Sequence, residues 1–203
     1  SHGIDLAQYV LGSRIAEVSA MTDTFISSRP VPLGVGIGHA AVELSDERRP
    51  VENEDYVAAL ARTDAGSLVT LEASRVAMGP RAEYVIEVYG TEGSVRWSFE
   101  HPEHLQVLIA SDGSHRGYTS VMSQAGYGDF GRFQPGPGQH LSFDDGKVVE
   151  ARQFLESITT GVQIAPSAGD AWAAAEADEA VVASAADRTW HTVPEVSGTT
   201  YAF

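Results

Sequence analysis

The sequence predicts an α+β protein, with one mostly antiparallel open sheet carrying helices on one face. Three observations lead there. The middle of the chain alternates apolar and polar residues in short runs joined by turn signals, the mark of hairpin-linked strands. The opening stretch and the last third instead repeat at helical spacing. No internal repeat or change in composition marks a second core, so residues 1–203 read as one domain.

Each element follows in order. SHGIDLAQYVLG sets Ile4, Ala7 and Leu11 on one helical stripe, widened by Leu6 and Val10, with Gly12 where a C-terminal cap belongs. EVSAMTDTFISSRP alternates as far as Pro30, and VPLGVGIGHAAVELSDERRP reads mostly as loop because Gly, Pro and charge dominate it. DYVAALART and SLVTLEASRVAM flank the turn Asp64-Ala65-Gly66, which makes a hairpin. AEYVIEVYG and SVRWSFE flank Gly90-Thr91-Glu92-Gly93, a second one. HLQVLIAS is a further strand ending at Asp112-Gly113. Residues 112–140, rich in Gly, Pro, Tyr and Phe, read as a long loop of the functional or mobile kind. KVVEARQFLESITTG aligns Val148, Ala151, Leu155 and Ile158 on one helical face, with Asp144 or Asp145 capping its start and Gly161 its end. SAGDAWAAAEADEAVVASAADRT is an Ala-rich second helix, and WHTVP is a closing strand or extended tail.

Composition excludes several function classes. A formal net charge of −15 argues against nucleic acid and anionic membrane surfaces, both of which need a cationic face. With no cysteine there is no disulfide, thiolate metal site or Cys nucleophile, and a cytoplasmic location is expected. No apolar run approaches membrane-spanning length, and the first residues lack the charged and apolar regions of a signal peptide. Arg outnumbers Lys twelve to one, so any chemistry that needs Lys within these residues has only Lys147.

Few residues stand out chemically. His2, Asp5 and Tyr9 share a helical face distinct from the apolar stripe. An imidazole there can accept a proton from a substrate hydroxyl, and Asp5 can orient that hydroxyl or its neighbour. The plainer reading leaves His2 a terminal residue and Asp5 a complement to the helix dipole. Arg75 shares a face with Val69, Leu71 and Ala73; on a buried face it needs an anionic or carbonyl partner, supplied by the fold or by a substrate. His140 ends the Gly/Pro-rich loop, either lining a pocket or exposed. GVGIGH, residues 34–39, lacks the preceding strand and following helix of a dinucleotide-binding turn and reads as loop. His101-Pro102-Glu103-His104 is not the zinc-binding H-E-x-x-H, and no metal is expected.

Taken in order, SHGIDLAQYVLG with EVSA, TFISSRP, ENEDYVAALARTDAGSLVTLEASRVAMG, IEVYGTEGSVRWSFE, VVEARQFLESITTG and PSAGDAW…ASAADRTWHTV resemble the C-terminal domain of the Gfo/Idh/MocA family of nicotinamide-dependent oxidoreductases. In the family this first helix follows a D-x-G-x-H or D-x-x-x-H segment whose His lies beside the nicotinamide, and His2 matches that His. The resemblance implies a hydride passing between NAD or NADP and a hydroxyl-bearing carbon of a sugar, cyclitol or related polyol. His2 is then catalytic, and Asp5 matches a position that contacts polyol hydroxyls in inositol dehydrogenases. Arg75 and His140 are the further candidate substrate-binding residues. Gly79-Pro80-Arg81-Ala82 stands where those dehydrogenases tend to carry aromatics, which implies a different substrate. The family's dinucleotide-binding Rossmann domain, its glycine turn and its catalytic Lys have no counterpart here, and Lys147 is wrongly placed for that Lys. The expectation is a C-terminal substrate-binding and oligomerisation domain of a longer enzyme, inactive alone, that binds no cofactor by itself and forms a homodimer or tetramer through its sheet. The alternative is a non-catalytic ligand-binding or assembly module that retains the fold.

Overall fold

The computed structural model describes residues 1–37, 40–81, 83–111, 113, 117–132, 136–139 and 142–195. They form α1 (His2–Leu11), β1 (Ile15–Asp23), β2 (Ser28–Pro32), β3 (Leu44–Pro50), β4 (Tyr56–Thr63), β5 (Leu68–Ser74), β6 (Val85–Tyr89), β7 (Gly93–Ser98), β8 (His104–Ile109), β9 (Thr119–Met122), a 3-10 turn at Gly128–Arg132, α2 (Phe143–Thr160), α3 (Ala168–Asp187) and β10 (His191–Thr192). The architecture is α+β, and every strand pairing is antiparallel. Where a single sheet is expected, the ladders fall into three: β10-β1-β4-β5, the ribbon β2-β3, and β6-β7-β8-β9. The run from Arg75 to Arg81 carries no strand, because Gly79 adopts a φ of +116° just before Pro80, whose nitrogen has no hydrogen to donate to a ladder. Contacts divide the chain into two compact units, one built on Ser1–Ile4, Leu11–Ala77 and the described residues from Trp172, the other on Asp5–Val10 and Met78–Ala171.

The first unit owes its core to small side chains. Ala174, Ala177 and Ala180 of α3 recur at helical spacing and meet Ile15 and Val18 of β1, Ala59 and Ala61 of β4, and Ile4 and Val193 in one buried cluster. Register makes this consistent: Val18 stands opposite Ala61, and Ala20 opposite Ala59, on the same sheet face. Alanine methyls hold little area, so the helix lies close to the sheet. That closeness lets buried Ser184 accept a hydrogen bond from the Ala20 amide at 2.9 Å and donate to the Thr189 carbonyl at 2.5 Å. The opposite sheet face stays open, with Met21, Leu60 and Leu68 exposed beside a Glu17–Arg62 cross-strand ion pair. WHTVP supplies the closing strand, β10, on β1.

Asp55, at the foot of β4, organises the polar side of this unit. Its buried carboxylate accepts hydrogen bonds from the Ile26 amide at 2.8 Å and the Arg29 guanidinium at 2.6 Å. Its own amide donates to the Asp23 carbonyl, and its carbonyl accepts from the Arg75 amide. One residue thus fixes the turn between β1 and β2 and the end of β5. The stretch expected as loop contains β3, a polar strand with no apolar alternation to announce it. It pairs with β2 and is held further by Arg48 donating to the Ser28 carbonyl.

In the second unit the register Ile86–Trp97–Leu105–Val121 makes one face of the sheet apolar, and Glu87–Arg96–Gln106–Ser120 makes the other polar. β9 falls inside the expected long loop, and so does the 3-10 turn. Asp129 pins that turn to α2 by accepting from Arg152 at 2.6 Å and from Gln153 at 3.2 Å. A side chain at Gly131 would place its Cβ 2.2 Å from the Ala125 carbonyl oxygen, so the tight fold-back there requires glycine. α2 is capped by Ser142, not by Asp144 or Asp145 acting alone. Asp145 instead completes a capping box, its carboxylate accepting from the Ser142 amide at 2.8 Å, while Gly161 closes the helix with φ +68° as expected. Among the described residues none of α2 is buried: Val148, Leu155 and Ile158 align on one helical face, but that face is exposed.

The Asp55 carboxyl is held below its usual range, chiefly by the Ile26 amide and further by Arg29, against the opposing effect of burial. A depressed folded-state value means that the stabilisation is present above the ordinary value of 3.8 and is lost as pH falls through the lower one. Thermal melts of wild type and Asp55→Asn between neutral and strongly acid pH should therefore differ most at neutrality and converge below pH 3.8. A gap independent of pH would show that the carboxylate's charge is not what stabilises this turn.

Candidate functional site

Helix α1 presents two faces. Ile4, Ala7 and Gln8 are buried, while His2 and Tyr9 are exposed and Asp5 is half-buried. Val10, expected on the apolar stripe, is exposed. His2 is the first helical residue and Asp5 lies in the first turn, so the sequence-predicted imidazole and carboxylate are neighbours one turn apart on one helical face. The pair unites a group able to take a proton with one able only to accept hydrogen bonds when ionised.

Tyr84, a residue not singled out as a candidate from sequence, is the group on which Asp5 acts electrostatically. It lies one residue before β6, and its carbonyl accepts from the Phe99 amide at 2.9 Å. Its ring meets Trp97 edge-on, with centroids 6.1 Å apart. Trp97 meets Phe99 at 6.1 Å, and Phe99 meets Phe143 of α2 at 6.3 Å. The Trp97 indole is itself fixed by donating to the Pro102 carbonyl at 3.0 Å. The Tyr84 phenol is pushed up to about 12, first by burial and then by the negative charge of Asp5. Its proton therefore stays on throughout the physiological range. The sequence signal was available: Tyr84 has the parity of Ile86 and Val88, and so is the one polar-tipped residue in an apolar row.

The other sequence candidates are placed differently. Arg75 lies just past β5 and is exposed, paired with Glu54 at 3.2 Å, and of its proposed face only Val69 and Leu71 are partly buried. Such exposed ion pairs typically contribute about 0.2–1 kcal/mol. His140 lies outside the described residues. Residues 34–37 of the glycine-rich stretch connect the antiparallel strands β2 and β3, whereas a dinucleotide-binding turn joins a strand to a helix. Glu103 receives His104 at 3.1 Å, and its carboxyl is held low, mainly by its own backbone amide and then by the neighbouring histidines against burial. No cluster of three or more His, Asp or Glu suited to a metal occurs among the described residues, and no helix among them is long and apolar enough to cross a membrane.

Residues 1–96 match a family model described as the GFO/IDH/MocA C-terminal domain. Over 199 residues the chain is 32% identical to levoglucosan dehydrogenase of Pseudarthrobacter phenanthrenivorans, which covers 97% of this chain and 51% of that protein. Among solved structures it is similar to levoglucosan dehydrogenase in complex with NADH and levoglucosan, with 30% identity and a TM-score of 0.83 over 95% of this chain and 48% of that one. It is also similar to an NAD-binding oxidoreductase from Klebsiella pneumoniae, with 29% identity and a TM-score of 0.84 over 96% of this chain and 49% of that one. The chain spans about half the length of these relatives.

Ultraviolet titration of the seven tyrosines should show one phenolate forming last, near pH 12. Tyr84→Phe should remove that step, and Asp5→Asn should move it to lower pH. A late step unmoved by Asp5→Asn would mean that the two groups do not sense each other.

Proposed function

Because the chain belongs to the GFO/IDH/MocA family, we propose that it is the substrate-binding and oligomerisation domain of an NAD(P)-dependent dehydrogenase. The substrate is a sugar, cyclitol or related polyol, and the reaction occurs at a hydroxyl-bearing carbon. The observation that carries this reading is the polar face of α1, with His2 leading the helix and Asp5 one turn behind, in a chain 97% of whose length aligns with about half of levoglucosan dehydrogenase.

The chemistry divides between bond breaking and proton transfer. The nicotinamide, when bound, supplies a hydride acceptor for the substrate's C–H. His2 accepts the hydroxyl proton as the carbonyl forms, and returns it in the reverse direction. Asp5 accepts a hydrogen bond from a hydroxyl and so fixes which carbon faces the hydride acceptor. Residues 34–37 do not fit the dinucleotide, since they link two antiparallel strands, so no residue of this chain is assigned to hold it. The reading includes a cytoplasmic location, where a dissociable nicotinamide dinucleotide is recycled.

The assembly role rests on the open sheet faces. Leu60 and Leu68 are exposed on the face of the first sheet opposite α3, and no residue of β6–β9 is fully buried. Soluble monomers seldom leave extensive apolar sheet surface uncovered. Light scattering coupled to size exclusion should give a mass of at least twice 21.6 kDa. A mass of 21.6 kDa that does not change with concentration would overturn sheet-mediated dimerisation.

The catalytic assignment is tested in the full-length protein with levoglucosan, glucose and myo-inositol, each with NAD and with NADP. His2→Ala should lower kcat by roughly 10²–10⁴-fold with the fold intact by circular dichroism. Near-normal turnover would return His2 to the role of a helix-terminal residue.

A further inference from the structure

We propose that the β2–β3 ribbon is an arm whose apolar tip docks on a second copy of this chain. The proposal rests on the assembly reading above and names the segment that completes it.

Four features of the first unit carry it. First, the ribbon is anchored only at its root. Among the described residues β2 and β3 pair with each other and with no other strand, and residues 24–27 and 51–55 join them to β1 and β4. The root is fixed by the Asp55 carboxylate, which holds the Ile26 amide and Arg29, and by the Val51 amide donating to the Ser27 carbonyl at 3.0 Å. From Ser28 to Leu33 the ribbon reaches about 20 Å. Second, its tip is apolar, uncovered and shaped. Val35 is 98% and Ile37 90% exposed, with Leu33 and Leu44 exposed beside them. The Leu33 amide donates to the Glu43 carbonyl at 2.9 Å and the Ala40 amide to the Ile37 carbonyl at 3.2 Å. A Cβ at Gly36 would stand 2.6 Å from a Val42 methyl, so glycine there lets Val42 close over the turn. Third, the β2 edge resists strand addition. Pro30 and Pro32 have no amide hydrogen to offer a further strand, which leaves the side chains of the tip to make the contact. Fourth, the arm is neutral. Arg29, Arg48 and Arg49 balance Glu43, Asp46 and Glu47, so the formal charge of −15 lies outside residues 28–50. Copies of a chain this acidic repel one another, and a neutral apolar arm approaches without that repulsion.

Area favours a second copy as the occupant. The open face of the first sheet exposes Met21, Leu60 and Leu68. Side chains so few cover only part of the about 800 Å² per partner that a stable interface buries. Under twofold symmetry each subunit gives one tip and receives another, so the arm contributes its area twice.

The test uses the full-length protein. Val35→Asp with Ile37→Asp alters two side chains that touch water on nearly all sides, so the circular dichroism spectrum should not change. By light scattering over a dilution series, the double variant should dissociate at a concentration roughly 100-fold higher than wild type, while Val35→Ile should behave as wild type. A polarity-sensitive dye on Val35→Cys, read against the parent protein treated alike, should pass from an apolar to an aqueous emission over the dilutions at which the assembly comes apart. Assembly unmoved by the two aspartates overturns the inference and leaves sheet-mediated dimerisation standing. So does a dye whose emission ignores dilution, which would put the tip on its own protein or in water. Wild type monomeric at every concentration would overturn the assembly reading, and this inference with it.

Discussion

The close approach of an alanine-rich helix to a sheet is the constraint on which the first unit depends. Ala174, Ala177 and Ala180 meet β1 and β4 across side chains that are themselves small at Ala59 and Ala61. Interiors are packed at crystal-like density, so a core of small residues is a thin core, and its geometry tolerates little variation. Thinness brings a hydroxyl of α3 within reach of the β1 backbone, and buried Ser184 joins the two where a larger contact residue would hold them apart. The same thinness limits how much apolar area this core removes from water. The unit therefore leans on polar ties, above all the Asp55 carboxylate, which gathers the turn after β1, the start of β2 and the end of β5 around one buried charge.

The second unit is built on another principle. Its sheet has no fully buried residue, and its order comes from edge-to-face aromatic contacts and charge pairs at its periphery. Aromatic edges impose direction as well as contact, because the ring quadrupole favours tilted geometries. Such a surface suits binding better than stability. It holds its rings in fixed orientation and leaves apolar area uncovered.

Much of this was legible in the sequence, for identifiable reasons. Both glycine-turn hairpins, the helical spans and the closing strand announce themselves by period and turn chemistry. β3 does not, because a two-stranded ribbon exposed on both faces has no apolar side to alternate. The division into separate ladders depends on backbone conformation at Gly79, which composition does not encode. The α2 cap was misassigned by two or three residues because Ser142 and Asp145 act reciprocally and either resembles a cap alone. At the site, His2 and Asp5 follow from helical spacing, whereas the influence of Asp5 on the Tyr84 phenol is a tertiary effect between residues distant in sequence. The burial premise for Arg75 fails because β5 ends at Ser74, one residue too soon to carry that side chain inward.

The chain's only lysine sits in α2, where it pairs with Glu150 at 2.6 Å and lies 5.5 Å from the Phe143 ring. A protease specific for lysine thus has one bond to cut, between Lys147 and Val148. Cleavage requires an extended backbone, which a helical turn cannot offer, so the cutting rate measures how often α2 opens locally. Helices that bury nothing of their own open readily unless something else closes over them. In this 203-residue chain the rate of a single cut therefore reports whether the exposed apolar face of α2 has found a cover, without any label or substitution.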